Sequence, residues 1–183
     1  MTRSNTARRT VAALLTAGVS AVLMTAAPAH ADSNDSCHPS GAMPRVGVFG
    51  NEFAPAPSDP LVRAQGWVGA GLACSPMGSF GGYRTDAGGY AAMAWHLTES
   101  MEPSELLSTG SVTPLAGRDD LAPGDGLLNP AGFGHAVVFD HWADDAHTSY
   151  LGYEFTAAGV QHRTIPYPYF AGQGDFRPVR AAR

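Results

Sequence analysis

The sequence predicts an α+β domain in which helices come first and an antiparallel sheet follows. Three observations carry this. Helix-start signals and apolar helical stretches are confined to residues 58–107. Beyond them come consecutive short strand patterns, Gly126-Leu-Leu128, Gly134-His-Ala-Val-Val-Phe-Asp140, Ser149-Tyr-Leu-Gly-Tyr-Glu-Phe155 and Val160 to Ile165, separated by polar turns. No internal repeat or second domain interrupts that order.

Residues 1–31 read as a signal peptide. Arg3, Arg8 and Arg9 precede an apolar run from Val11 to Ala27, and Ala29-His30-Ala31 supplies a small-x-small cleavage site. The run is short and broken by Gly18, Ser20 and Thr25, which favours a cleaved signal over a retained anchor. The Arg8-Arg9 pair raises the twin-arginine route, but its flanks match that signal weakly, so the general secretory route is expected. The protein is therefore expected to be secreted, with no membrane association after cleavage.

Cleavage leaves about 152 of the 183 residues, enough for one domain with a core. It removes three arginines and no acid from a chain with 11 basic and 16 acidic residues, leaving 8 against 16 and a net charge of −8. Such a balance disfavours nucleic acid as a partner. Lysine is absent, so no side chain can form a Schiff base. The two cysteines, Cys37 and Cys74, are expected to pair in an oxidising compartment, contributing on the order of 3–4 kcal/mol by the loop-entropy model.

Residues 32–57 form an irregular N-terminal segment with Val46-Gly-Val-Phe49 as its one apolar run, and the domain occupies 58–183. Ser58-Asp59-Pro60 starts a first helix carrying Leu61, Val62, Gln65, Trp67 and Val68. Gly69 to Gly82 is a glycine-rich approach to a second helix. That helix is apolar on nearly every side, through Tyr90, Ala91, Met93, Ala94, Trp95 and Leu97, so it belongs in the centre of the fold. Asp86 is its natural N-cap. Glu102-Pro103-Ser104 opens a short helix through Leu107, Ser111 to Leu115 is extended, and Pro123-Gly124 suits a type II turn into the first sheet strand. Pro166 to Phe170, with Phe176 and Pro178, is expected to cover the sheet as an irregular aromatic lid.

The segment Gly82-Tyr83-Arg84-Thr85-Asp86-Ala87-Gly88-Gly89-Tyr90, running into an Ala-Trp helix, resembles the nucleophile segment of NlpC/P60-type cysteine hydrolases, in which Asp-Cys-Ser-Gly opens the helix. The Pro123-Gly124-Asp125 turn and the Gly134-His135 pair match that family in the same order, and the likeness spans about residues 60–180. It implies a papain-like fold, with the central helix packed on a barrel-like antiparallel sheet. It also implies that Ala87 stands where the family has its nucleophilic cysteine and that His135 matches the histidine that pairs with it. An alanine methyl can neither attack a carbonyl nor give a proton, so the acyl-enzyme route is closed. Gly88 replaces the family's serine, and two departures side by side point to natural loss over an engineered knockout.

Folding the strand hairpin about residues 144–145 places His135 opposite Glu154 or Phe155, which makes Glu154 the candidate orienter of the imidazole, with a bulge deciding which face it shares. Tyr83, Asp86 and Trp95 are expected to line the cleft. Asp140, His141, Asp144, Asp145 and His147 crowd the hairpin without a compact ligand spacing, so no metal or other cofactor is expected.

The resulting expectation is a monomeric secreted domain that has lost hydrolase activity and binds a cell-wall peptide or a secreted protein partner. One alternative is a live amidase or peptidase, with Cys74 as the nucleophile or with Ala87 replacing a functional cysteine; Ser75 and Ser79 carry no signature that marks either as a nucleophile. The other is a structural or inhibitory protein that uses only its outer surface.

Overall fold

The computed structural model describes residues 59–132 and 134–182. The predicted signal peptide, the segment 32–57 and Cys37 lie outside them. The described chain is α+β: helices α1 (Pro60–Gln65), α2 (Ala87–Ala94) and α3 (Pro103–Ser108), with strands β1 (Ser75–Phe80), β2 (Tyr83–Thr85), β3 (Val112–Pro114), β4 (Gly126–Asn129), β5 (His135–Trp142), β6 (Ser149–Thr156), β7 (Gly159–Pro166) and β8 (Arg177–Ala181). β1 and β2 form a small hairpin, and the other six strands make one antiparallel sheet in the order β3-β8-β4-β5-β6-β7.

α2 begins where its capping residue dictates. Asp86 has extended backbone and accepts a 2.7 Å hydrogen bond from the amide of Gly89, satisfying a donor that the first turn leaves open. Every residue of α2 is buried. Its far end is satisfied by Arg63 of α1, whose Nε donates to the carbonyls of Met93 and Ala94 at 3.2 and 2.7 Å. This places a cation on the negative end of the helix dipole. Burial pulls the Arg63 guanidinium below its ordinary value despite Tyr83 and Asp59 nearby.

The sheet has two covered faces. Tyr90 of α2 packs with Val138, Tyr153 and Phe155, while Ala91 and Trp95 pack with Leu128, Ala136 and Val179. The opposite face gathers Leu127, Val137, Phe139, Tyr150 and Ile165 under Tyr169 and Phe176. Strand alternation explains the division, since odd and even positions of β5 point to opposite sides.

Three elements depart from the sequence expectation. The glycine-rich stretch before α2 contains the β1–β2 hairpin, turned by Gly81 and Gly82 at φ 58° and 86°, conformations that glycine adopts without a Cβ penalty. Ser75-Pro-Met-Gly-Ser-Phe80 has no alternating apolar pattern to betray a strand. The expected aromatic cover also holds a strand, β8, which sits between β3 and β4; only Val179 of its five residues is buried. Helix α1 ends at Gln65, short of the expected Val68, and the chain continues through turns.

Candidate functional site

β5 and β6 bring the predicted pair together, but in a register that the simple hairpin missed. Val137, not His135, lies directly opposite Glu154, and an extra residue between Phe139 and His141 shifts the ladder by one. That bulge puts His135 and Glu154 on the same face as diagonal neighbours. His135 Nε2 and Glu154 Oε2 are 2.7 Å apart, and the two residues are 3% and 0% exposed. Gly134 delivers the histidine: its φ is 70°, and a Cβ there would meet the Asn129 carbonyl and the Pro103 ring at 2.7–2.8 Å.

Two further residues complete the cluster. Arg163 on β7 donates from Nε to Glu154 Oε1, and the Tyr169 hydroxyl donates to Oε2 at 2.8 Å. Burial pushes the Glu154 carboxyl up, yet the hydrogen bond and charge of His135, the charge of Arg163 and the Tyr169 hydroxyl together hold it below the ordinary carboxylate value. The carboxylate is therefore ionised in the fold. The imidazole also packs against the rings of Tyr169 and Phe176, at centroid distances of 5.4 and 6.0 Å. Among the described residues, His135 Nδ1 is the one buried side-chain polar atom without a hydrogen-bond partner. Sequence reasoning missed Arg163 and Tyr169. The pairing of β6 with β7, which sets Gly152 opposite Arg163, is the signal that could have found the arginine.

Ala87 is the first residue of α2 and is 6% exposed. Asp86 beside it does more than cap. It forms a buried ion pair with Arg84, Nε to Oδ2 at 2.7 Å, with both side chains almost wholly shielded from solvent. Tyr83 and Trp95, predicted to line the cleft, are placed elsewhere. The Tyr83 hydroxyl donates to the Leu97 carbonyl and the Trp95 indole to that of Gly124, and both rings are core members. Trp95 caps the C-terminal end of α2, about 12 Å along the helix axis from Ala87, and Leu97 follows just beyond it. The tryptophan instead borders an 810 Å³ groove with Arg63, His96, Asp125 and Arg180.

Cys74 is half-buried and in a disulfide, so it presents no thiolate. Around the hairpin, Asp144 accepts hydrogen bonds from the amides and hydroxyls of Thr148 and Ser149, and these hold its carboxyl far below the ordinary value. Asp140 pairs with His141 and His162. Among the described residues no group of three or more His, Cys, Asp or Glu is placed to hold a metal ion.

No family model, curated protein or solved structure matches this chain. A histidine fixed by an ionised carboxylate, with its second ring nitrogen buried and unpaired, is an arrangement suited to hold a proton from an adjacent nucleophile or to accept a hydrogen bond from a ligand. The residue that opens α2 supplies no nucleophile.

Proposed function

We infer that the protein is a secreted, NlpC/P60-like domain of papain-like fold that has lost cysteine-hydrolase activity and acts by binding a cell-wall peptide or a secreted protein. One observation carries the reading. The imidazole of His135 keeps its carboxylate partner on Nε2 while Nδ1 stays buried without a partner, and the helix-opening residue that would supply a thiol is Ala87. What joins the two features is the sequence resemblance, in which these positions answer to the family's histidine and cysteine.

A second reading, that only the outer surface is used, is favoured by a different observation. Ala87, His135 and Glu154 are all buried, whereas Val62, Met77 and Phe80 are large apolar side chains left 52%, 77% and 46% exposed. Titration calorimetry with soluble peptidoglycan stem peptides, on the wild type and His135→Ala, tests the first reading. Binding that the substitution weakens at least about tenfold supports it. Binding unaffected by His135→Ala but lost in Met77→Ser/Phe80→Ser supports the second.

A further inference from the structure

His135 faces away from α2. Along β5 it alternates with Ala136 and Val138, which pack on the α2 side, and shares its own side with Val137 and Phe139. Over that side runs the chain between β7 and β8, residues 167–176. Side chains on both neighbours of β5 hold it there. From β6, Glu154 Oε2 accepts from the Tyr169 hydroxyl at 2.8 Å, and the Tyr150 hydroxyl donates to the Pro168 carbonyl at 3.2 Å. From β4, Asn129, the ladder partner of His135, donates from Nδ2 to the Gln173 carbonyl at 3.1 Å. A segment tied to β6 at one end and to β4 at the other has to cross β5. The crossing is aromatic: the Tyr169 and Phe176 rings stack at 4.1 Å, and both lie against the imidazole. Its seat on β4 requires Gly174, at φ 103°, where a Cβ would stand 2.4 Å from the Asn129 amide nitrogen.

We propose that residues 167–176 are a displaceable cover that closes the His135 imidazole, fastened by the Tyr169 hydroxyl on Glu154 and by Asn129 on the Gln173 carbonyl. Release at Glu154 leaves that carboxylate still paired with His135 and Arg163, so opening strands no buried charge. The outer part of the cover adds no core packing, since Ala171, Gly172, Gly174 and Asp175 are exposed. The inference goes beyond the peptide-binding reading. It assigns the face from which the imidazole is reached, and a ligand that touches His135 on this face must first move Tyr169.

Diethylpyrocarbonate, which modifies unprotonated imidazole nitrogens, reads this accessibility in the full secreted chain at pH 7, with each histidine followed by peptide mass and each rate compared with that in urea. The closed cover predicts modification of His135 at least about 100-fold slower than in the unfolded protein, while His141, with its side chain 59% exposed, serves as the reference and stays within about tenfold. Tyr169→Phe, which keeps the ring and deletes one fastening, is expected to speed His135 modification at least about tenfold. Asn129→Ala deletes the other without altering the hydrogen bond of the imidazole, and is expected to act in the same direction. Met93→Ala, a cavity in the core on the α2 side, controls for global opening and is expected to leave the His135 rate within about twofold. The proposal is overturned if native His135 reacts as fast as His141, if neither fastening variant changes its rate, or if Met93→Ala speeds it as much as they do. Each of these results leaves the peptide-binding reading to its own calorimetric comparison of wild type with His135→Ala.

Discussion

The two halves of the candidate site have fared differently. Around His135 lies a fully connected polar cluster: a histidine set by a strict-geometry glycine, a buried carboxylate, and an arginine and a tyrosine that hold the carboxylate ionised. At the start of α2 the residue carries no reactive group, and a backbone carbonyl occupies the space beside it. A buried charged network cannot be given up piecemeal, because removing one member leaves the others desolvated and unpaired. A small side chain at a helix start has no such ties.

Removing the network should give the largest effect. Glu154→Ala strips Arg163, Tyr169 and His135 of a shared acceptor and is expected to cost about 3–5 kcal/mol in urea denaturation; Glu154→Gln, which keeps the volume and one acceptor, should cost less. A loss below about 1 kcal/mol would mean that the network is not structural, and the contrast between the two halves would fail.

The helix start comes next. Asp86→Ala deletes an N-cap worth about 1 kcal/mol and withdraws the carboxylate from buried Arg84, for an expected total of about 3 kcal/mol. Gly88→Ala drives a Cβ into the Met101 backbone and is expected to cost about 2 kcal/mol, while Gly117→Ala, where a Cβ meets nothing within 4 Å, should be close to neutral. Equal effects at the two glycines would remove the geometric basis for the closed helix start.

The pH dependence is a subtler separation of the halves. The Glu154 carboxyl titrates lower in the fold than in the unfolded chain, so between those two values the unfolded state binds more protons. Its contribution is fully present above the ordinary carboxylate value and is lost as pH falls through the folded one, below about pH 4.5. The stability difference between wild type and Glu154→Gln should therefore shrink as the pH is lowered from 7 toward 3. Smallest of all, Met77→Ser on the exposed hairpin should change stability by less than about 0.5 kcal/mol.

Much of this was legible in the sequence, for identifiable reasons. The helix cap at Asp86, the apolar run of α2 and the Pro123-Gly124 turn are local signals, and the structure forms each: the Asp125 amide donates to the Ala122 carbonyl across that turn, with Gly124 at φ 91°. The strand order makes Glu154 a candidate partner of His135, although the simple hairpin sets Glu154 or Phe155 directly opposite and the structure makes Glu154 a diagonal neighbour. What local signals cannot carry is long-range placement. The bulge after Phe139 depends on how β5 fits β6. Arg163 and Tyr169 reach Glu154 only through β7 and the chain beyond it. Strand β8 is recruited by the β3 and β4 edges and not by its own pattern. Tyr83 and Trp95 read as cleft residues because aromatic side chains near a helix start suggest a lining, whereas their hydroxyl and indole groups are satisfied by carbonyls at the helix's other end.

The most direct test of the account is a hydrolysis assay of the purified mature protein on a peptidoglycan stem peptide, run beside His135→Ala. The account predicts no cleavage above buffer for either protein, because no thiolate is present at Ala87 or Cys74. Cleavage by the wild type that disappears in His135→Ala would contradict it, and would require a nucleophile that this reading denies.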